Sequence, residues 1–69
     1  MKELQISLAA ARVNAGFTQQ EAAEKMHVSK RTLCDWELGK RTPSAASLHY
    51  LADIYGIHEG NIFLPTESR

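Results

Sequence analysis

The twenty residues from Gln19 to Leu38, QQEAAEKMHVSKRTLCDWEL, contain the pattern that decides the fold of this 69-residue chain. Positions four, eight, ten, fifteen and eighteen of this stretch are all apolar, namely Ala22, Met26, Val28, Leu33 and Trp36. Two helices that cross steeply through a minimal turn must pack at such positions, and Ala23 is small enough for a close crossing. The pattern therefore predicts two short helices joined by a tight link. An ordinary helical hairpin within a core is the alternative.

Local signals place the ends of these two helices. Thr18 and Glu21 have capping-box spacing, so the Thr hydroxyl accepts from one free backbone N–H and the Glu carboxylate accepts from another. Ser29 is a good N-cap for the next helix, and Gly39 ends it. About three residues, centred on His27, separate the two helices.

Apolar residues at helical spacing predict one helix before this stretch and two after it. The stripe of the first helix consists of Leu4, Leu8, Ala11 and Ala15, and Gly16 ends it. Pro43 suits the first turn of a fourth helix, where its missing N–H costs nothing, and Gly56 closes that helix. The core side of the fourth helix is formed by Leu48, Leu51, Ala52 and Tyr55.

A brief fifth helix is expected around Ile57, Ile62 and Phe63, with Gly60 weakening its middle. Since no alternation of period two appears, no strand is expected. The predicted fold is all-α, a compact bundle of five short helices in which helices two and three form a helix-turn-helix. Residues 1–64 form one domain, and residues 65–69 form a flexible tail.

Size and composition limit the possible functions. At 69 residues, a chain hides only about 60% of the surface that its unfolded form exposes, so it supports one core. The lone Cys34 cannot pair within the chain, which fits a reducing cytoplasm, and it is otherwise an incidental small side chain. The apolar run from Ile6 to Ala11 is too short for a signal core or a membrane span. We therefore expect a soluble cytoplasmic protein with no membrane partner.

The formal net charge is zero, but the charge is unevenly distributed. The segment from Lys25 to Arg41 has five basic and two acidic residues, a local net of +3, whereas the first 24 residues carry −1 and the last 28 carry −2. Such a distribution can present one positive face to a polyanion. A solvated surface is the simpler interpretation of a short charge run.

Several segments together resemble the Cro and phage-repressor type of helix-turn-helix, the XRE family, which has the lambda-repressor-like fold. In chain order they are LAAAR (8–12), FTQQEAA (17–23), VSKRTL (28–33), WELGKRTPS (36–44) and LADIYGI (51–57). His27 departs from the glycine often found in the turn, so the resemblance implies a left-handed backbone there, which His tolerates better than a β-branched residue does. Ala22 is smaller than the usual leucine. The resemblance implies sequence-specific binding of double-stranded DNA by a transcriptional regulator, most often a repressor, with the third helix in the major groove.

The resemblance assigns the contacts to DNA bases to Lys30, Arg31 and Asp35. Burying Leu33 and Trp36 turns outward Arg31, Cys34, Asp35 and Leu38. Arg and Lys suit guanine O6 and N7, so we expect at least one guanine in each half-site. Asp35 either accepts from cytosine N4 or, as we favour, holds Arg31 in place from four residues further on. Plain solvated charge is the alternative for the two cations.

Further roles also follow from the resemblance. The phosphate-binding candidates are Thr18, Gln19, Thr32, Gly39, Lys40 and Arg41. Arg12 and Glu37 match positions that form a partly buried structural ion pair.

A dimer is expected because one recognition helix reads only about four or five base pairs, too few to exclude roughly a million competing sites. A homodimer on a near-palindromic operator doubles the readout. The candidate interface residues are Ile57, Ile62, Phe63 and Leu64. These residues could instead close the core, and the dimerisation region could lie elsewhere if the chain is a fragment.

Enzymatic activity is not expected. His27, His49 and His58 lie far apart with no carboxylate at metal spacing, and no Gly-rich phosphate loop is present. We expect no metal, no cofactor and no small-molecule ligand, and we expect the protein to act on the nucleoid. The alternative function is a protein-interaction module on the same fold, an antirepressor or antitoxin-like subunit. The cations at 30, 31, 40 and 41 argue against it, because a protein partner does not demand them.

Overall fold

The computed structural model describes residues 5–64. Within this range it contains four α-helices, one turn of 3₁₀-helix and two short strands. In chain order the elements are β1 (Ile6–Ser7), α1 (Leu8–Asn14), α2 (Gln19–Met26), α3 (Lys30–Leu38), α4 (Ala45–Tyr55), the 3₁₀ turn (Glu59–Asn61) and β2 (Ile62–Phe63). The expected tail at 65–69 and Leu4 lie outside the described residues.

The helix ends at α2 and α3 are those predicted from the sequence. At the start of α2, the Glu21 N–H donates to Thr18 Oγ1 at 3.0 Å and the Thr18 N–H donates to Glu21 Oε1 at 2.9 Å. This reciprocal pair confirms the capping box. The Thr32 N–H donates to Ser29 Oγ at 3.0 Å, and Gly39 ends α3 in the left-handed conformation.

The link between α2 and α3 turns at His27, whose φ of 62° and ψ of 39° confirm the expected left-handed backbone. Directly after it, the Val28 N–H donates to the Ala23 carbonyl at 3.0 Å. This bond ties the link back to the end of α2, and only three residues separate α2 from α3. The tight link fixes the direction of α3 relative to α2.

The prediction of an all-α bundle with five helices was wrong in its last part. Ile62 and Phe63 form β2, which pairs in parallel with β1, in the register Ile6 with Ile62 and Ser7 with Phe63. The expected fifth helix shrinks to the 3₁₀ turn, in which the Gly60 N–H donates to Nδ1 of His58 at 3.0 Å. Gly60 disfavours a longer helix because glycine is a poor helix former. The backbone of Ile62 and Phe63 pairs with β1 instead of continuing the helix.

Two helix starts also differ from the prediction. Helix α1 begins at Leu8 rather than further upstream, because the hydroxyl of Ser7 caps it by accepting from the Ala10 N–H at 3.1 Å. Helix α4 is capped by Ser44, so Pro43 lies before the cap and is buried instead of occupying the first turn. Both are cases in which a serine hydroxyl sets the first turn.

One hydrophobic core contains side chains from all four helices and β2. Its buried members are Leu8, Ala11, Ala22, Ala23, Met26, Leu33, Trp36, Leu51, Ala52, Tyr55 and Ile62, and Val28 packs against it. The pattern that predicted the helix crossing is thus the core side of α2 and α3. Because Leu33 and Trp36 fix the inward face of α3, the opposite face must point to solvent.

Candidate nucleic-acid interface

The outer face of α3 contains the two cations predicted to contact bases. Lys30 and Arg31 are both exposed, and the Arg31 side chain is 81% exposed. Leu38 is also exposed, whereas Cys34 and Asp35 are only partly so. The structure therefore places an exposed basic pair at the start of α3.

Asp35 lies deeper than expected for a residue that contacts bases. Its side chain is only 13% exposed, and its Oδ1 lies 3.6 Å from the Arg31 Nε. A carboxylate with so little accessible surface has little room to approach a base edge. The geometry fits better with a residue that restrains Arg31.

In the loop after α3, side chains are available to bind phosphate, but the backbone N–H groups are not. The Gly39 N–H donates to the carbonyls of Asp35 and Trp36. The next two N–H groups, of Lys40 and Arg41, both donate to the Asp35 carbonyl at 2.9 Å and 3.3 Å. The expected phosphate contact from the backbone near Gly39 is therefore not favoured, because these N–H groups have acceptors within the protein. The exposed side chains of Lys40 and Arg41 remain.

The start of α2 provides further donors. The Gln19 amide donates from Nε2 to Glu37 Oε1 at 2.9 Å, which leaves its second hydrogen free to point elsewhere. The Thr18 hydroxyl accepts from the Glu21 N–H, and the Thr32 hydroxyl accepts from the Ser29 hydroxyl at 3.0 Å, so each keeps its own hydrogen to donate. In the first turn of α2, the Glu21 N–H is bound by the Thr18 hydroxyl, whereas the N–H groups of Gln19 and Gln20 have no acceptor within the helix.

A buried network holds these elements together. Arg12 Nε lies 2.7 Å from Glu37 Oε2, its Nη2 lies 3.4 Å from Oε1, and its Nη1 donates to the Phe17 carbonyl at 2.9 Å. The side chains of Arg12 and Glu37 are 13% and 6% exposed. The hydrogen bond to Glu37 raises the pKa of Arg12 above its ordinary value. Together with Gln19, the pair joins α1, α2 and α3 at one point.

Beside this network lies a buried hydroxyl that the sequence did not reveal. Among the described residues, the Tyr55 hydroxyl has no hydrogen-bond partner. Burial, with a smaller contribution from nearby Glu37, raises the pKa of Tyr55 to about 12. The ring of Tyr55 packs against Phe17, with centroids 6.2 Å apart, so this side chain serves the core.

Comparison with known proteins agrees with this arrangement. Residues 8–61 match a family model described as helix-turn-helix. The chain belongs to the helix-turn-helix family. It is also 38% identical, over 47 residues, to the HTH-type transcriptional regulator ImmR of Bacillus subtilis (strain 168). That region is 68% of this chain but 37% of the relative, so the chain spans little more than a third of the length of that protein. No solved structure matched. The expected membership in the XRE-type group is confirmed.

The four candidate dimer residues of this helix-turn-helix domain do not form one exposed patch. Ile62 is buried in the core, and Ile57 and Leu64 are partly buried against it. Phe63 alone of the four is substantially exposed, at 53%. The prediction that all four residues belong to one interface is therefore wrong for Ile62. Its side chain packs in the core, which was the alternative interpretation of these residues.

The histidines and acidic residues of the helix-turn-helix domain form no metal site within residues 5–64. His49 Nδ1 instead lies 2.8 Å from Glu59 Oε1, linking α4 to the 3₁₀ turn. This carboxylate raises the pKa of His49. In the same part of the chain, none of the helices has the length and apolar character needed to cross a membrane.

Proposed function

We propose that this chain binds double-stranded DNA sequence-specifically, as the DNA-binding domain of a transcriptional repressor acting on the nucleoid. The observation that carries the proposal is the orientation of α3. Leu33 and Trp36 are buried in the core while Lys30 and Arg31 are exposed on the other side. A rigid helix with exposed cations at its N-terminal end suits the major groove, which admits one α-helix. The regulator name of the relative ImmR supports the same function.

Base recognition is assigned to Lys30 and Arg31. A guanidinium donates two parallel hydrogen bonds to guanine O6 and N7, which discriminates against a wrong base by about 1–3 kcal/mol. Asp35 limits the freedom of Arg31 from the next turn of the helix, since their charged atoms are 3.6 Å apart. A restrained guanidinium loses less rotational freedom on binding than a free one.

Phosphate binding is assigned to groups on both sides of α3. On one side, Lys40 and Arg41 follow directly after the helix and are exposed. On the other, Thr18 and Gln19 lie at the start of α2, whose N-terminal dipole favours an anion. Thr32, in the first turn of α3, is a further hydroxyl donor. Phosphate contacts of this kind set the position and orientation of the protein on the duplex.

The functional unit is a homodimer on a near-palindromic operator. One copy of α3 discriminates too few base pairs to select a site in a bacterial genome, and a two-fold axis doubles the number. Phe63 is the exposed member of the candidate interface, and Ile57 and Leu64 are partly accessible. The proposal requires no metal, cofactor or small-molecule ligand.

Selection from a randomised duplex library tests this function directly. We expect the purified chain to enrich an inverted repeat with at least one guanine in each half-site. The matched control is the double variant Lys30→Ala, Arg31→Ala, which changes exposed residues only and is expected to fold but to enrich no motif. A folded wild-type protein that enriches no sequence would contradict the proposal and favour a protein-interaction module instead.

A further inference from the structure

The exposed face of α3 has an apolar part that the assigned contacts do not use. Leu38, the last residue of α3, is 61% exposed. Cys34, one turn earlier, is partly exposed. We call Cys34 and Leu38 the apolar stripe. Leu38 lies on the side of α3 that faces away from the core.

The stripe runs in line with Arg31. Seven residues of α-helix turn through about 700°, so Leu38 projects within about 20° of the direction of Arg31 and about 10.5 Å further along the axis. Cys34 comes three residues after Arg31 and four before Leu38, spacings that keep side chains on one helix face. One face of α3 is therefore basic at its N-terminal end and apolar at its C-terminal end.

Cations enclose the apolar stripe at both ends. Lys30 and Arg31 precede it, and the exposed Lys40 and Arg41 follow two and three residues after Leu38. A partner that packs against the apolar stripe must also have groups that bind these four cations. DNA satisfies both requirements, since phosphates and guanine accept from the cations and the major groove has one apolar group, the C5-methyl of thymine.

We propose that the apolar stripe packs against the C5-methyl group of a thymine in each operator half-site, with Leu38 as the main contact. If α3 runs along the groove, the distance of about 10.5 Å places this thymine about three base pairs from the guanine bound by Arg31. The inference rests on the proposed DNA binding and adds a second specificity-determining contact to it.

Replacing thymine with uracil in the selected site tests the contact, because it removes the methyl group and leaves every hydrogen-bonding group in place. Each thymine is replaced in turn, and the dissociation constant is measured by fluorescence anisotropy for wild-type protein, Leu38→Ala and Cys34→Ser. We expect one thymine per half-site at which uracil weakens wild-type binding about fourfold, and about fifteenfold when both half-sites are changed.

The penalty for uracil must depend on the stripe. In Leu38→Ala it is expected to fall below about twofold, and in Cys34→Ser to fall by a smaller amount, since hydroxyl for thiol keeps the size. Val13→Ala is the matched control, because Val13 is equally exposed, at 62%, but lies on α1. This variant is expected to keep the full penalty.

Two results would overturn the proposal. One is tolerance of uracil at every thymine by the wild-type protein. The other is a penalty in Leu38→Ala equal to that of wild type, even if this variant binds both duplexes more weakly. Failure of the proposed function gives a different result, because then the wild-type protein shows no sequence preference on any duplex, with or without methyl groups.

Discussion

Replacing Arg12 with Ala removes the partner of a carboxylate that is almost completely buried. Glu37 is 6% exposed and is bound by two Arg12 nitrogens, at 2.7 Å and 3.4 Å, and by Gln19 at 2.9 Å. In Arg12→Ala only the Gln19 bond remains, and the Phe17 carbonyl also loses its donor. Breaking a buried pair from one side typically costs 3–5 kcal/mol, because the other charge stays buried and unpaired.

The structure sets the expected magnitude at the low end of that range. The Arg12 side chain is 13% exposed, so water reaches the space that it vacates, and the bond from Gln19 offsets part of the loss. We therefore expect the free energy of unfolding to fall by about 3 kcal/mol. For a domain of this size, that lowers the melting temperature by about 12–24 °C.

Fluorescence of the single tryptophan, the buried Trp36, reports the unfolding transition directly. Arg12→Lys keeps the charge but cannot donate to both Glu37 oxygens and to Phe17, so we expect roughly half of the loss. The double variant Arg12→Ala, Glu37→Ala is expected to be more stable than the sum of the single losses, by about 2 kcal/mol. A melting temperature for Arg12→Ala within about 2 °C of wild type would refute the reasoning.

Three further predictions concern other groups. Removing the side chains of Lys40 and Arg41 together should lower the slope of log affinity against log salt by about 1.8, at ~0.9 per lost phosphate contact. An unchanged slope in a salt titration would exclude them as phosphate ligands. Glu59 raises the pKa of His49, so their pair stabilises the fold fully below about pH 6.5 and loses this effect as pH rises through the raised value. Melting at pH 5.5 and pH 8 should show a pH dependence that shrinks in His49→Gln, and an equal dependence in both proteins would contradict it. Tyr55→Phe removes a buried hydroxyl without a partner among the described residues, so its melting temperature should equal or exceed that of wild type.

The sequence predicted those parts of the fold that have local causes. The capping box at Thr18 follows from short-range hydrogen bonding and is present, and so is the left-handed backbone that the family resemblance implied for His27. The burial of Leu33 and Trp36 follows from helical spacing. The pairing of Ile6 with Ile62 could not be predicted in this way, because two-residue strands have no periodicity and their contact joins distant parts of the chain.

In the candidate site, too, features with local causes could be predicted and features that depend on tertiary packing could not. Helical spacing placed Arg31 on the outward face of α3, where it is exposed, whereas Lys30 was assigned from the family resemblance. The depth of Asp35 depends instead on how closely neighbouring elements cover it, which spacing within one helix does not reveal. The bond from Gln19 to Glu37 also depends on the crossing of two helices. Such contacts follow from tertiary packing rather than from local sequence.

The parallel direction of β1 and β2 determines how the described domain carries mechanical load. Residue 5 leaves the strand pair at one end and residue 64 leaves it at the other, because paired parallel strands run the same way. A force that draws these two residues apart therefore slides one strand along the other and loads the inter-strand hydrogen bonds together. An antiparallel pair in the same place would instead open like a zipper, one bond at a time. In a pulling experiment on residues 5–64, this strand pair would have to shear before the helices extend.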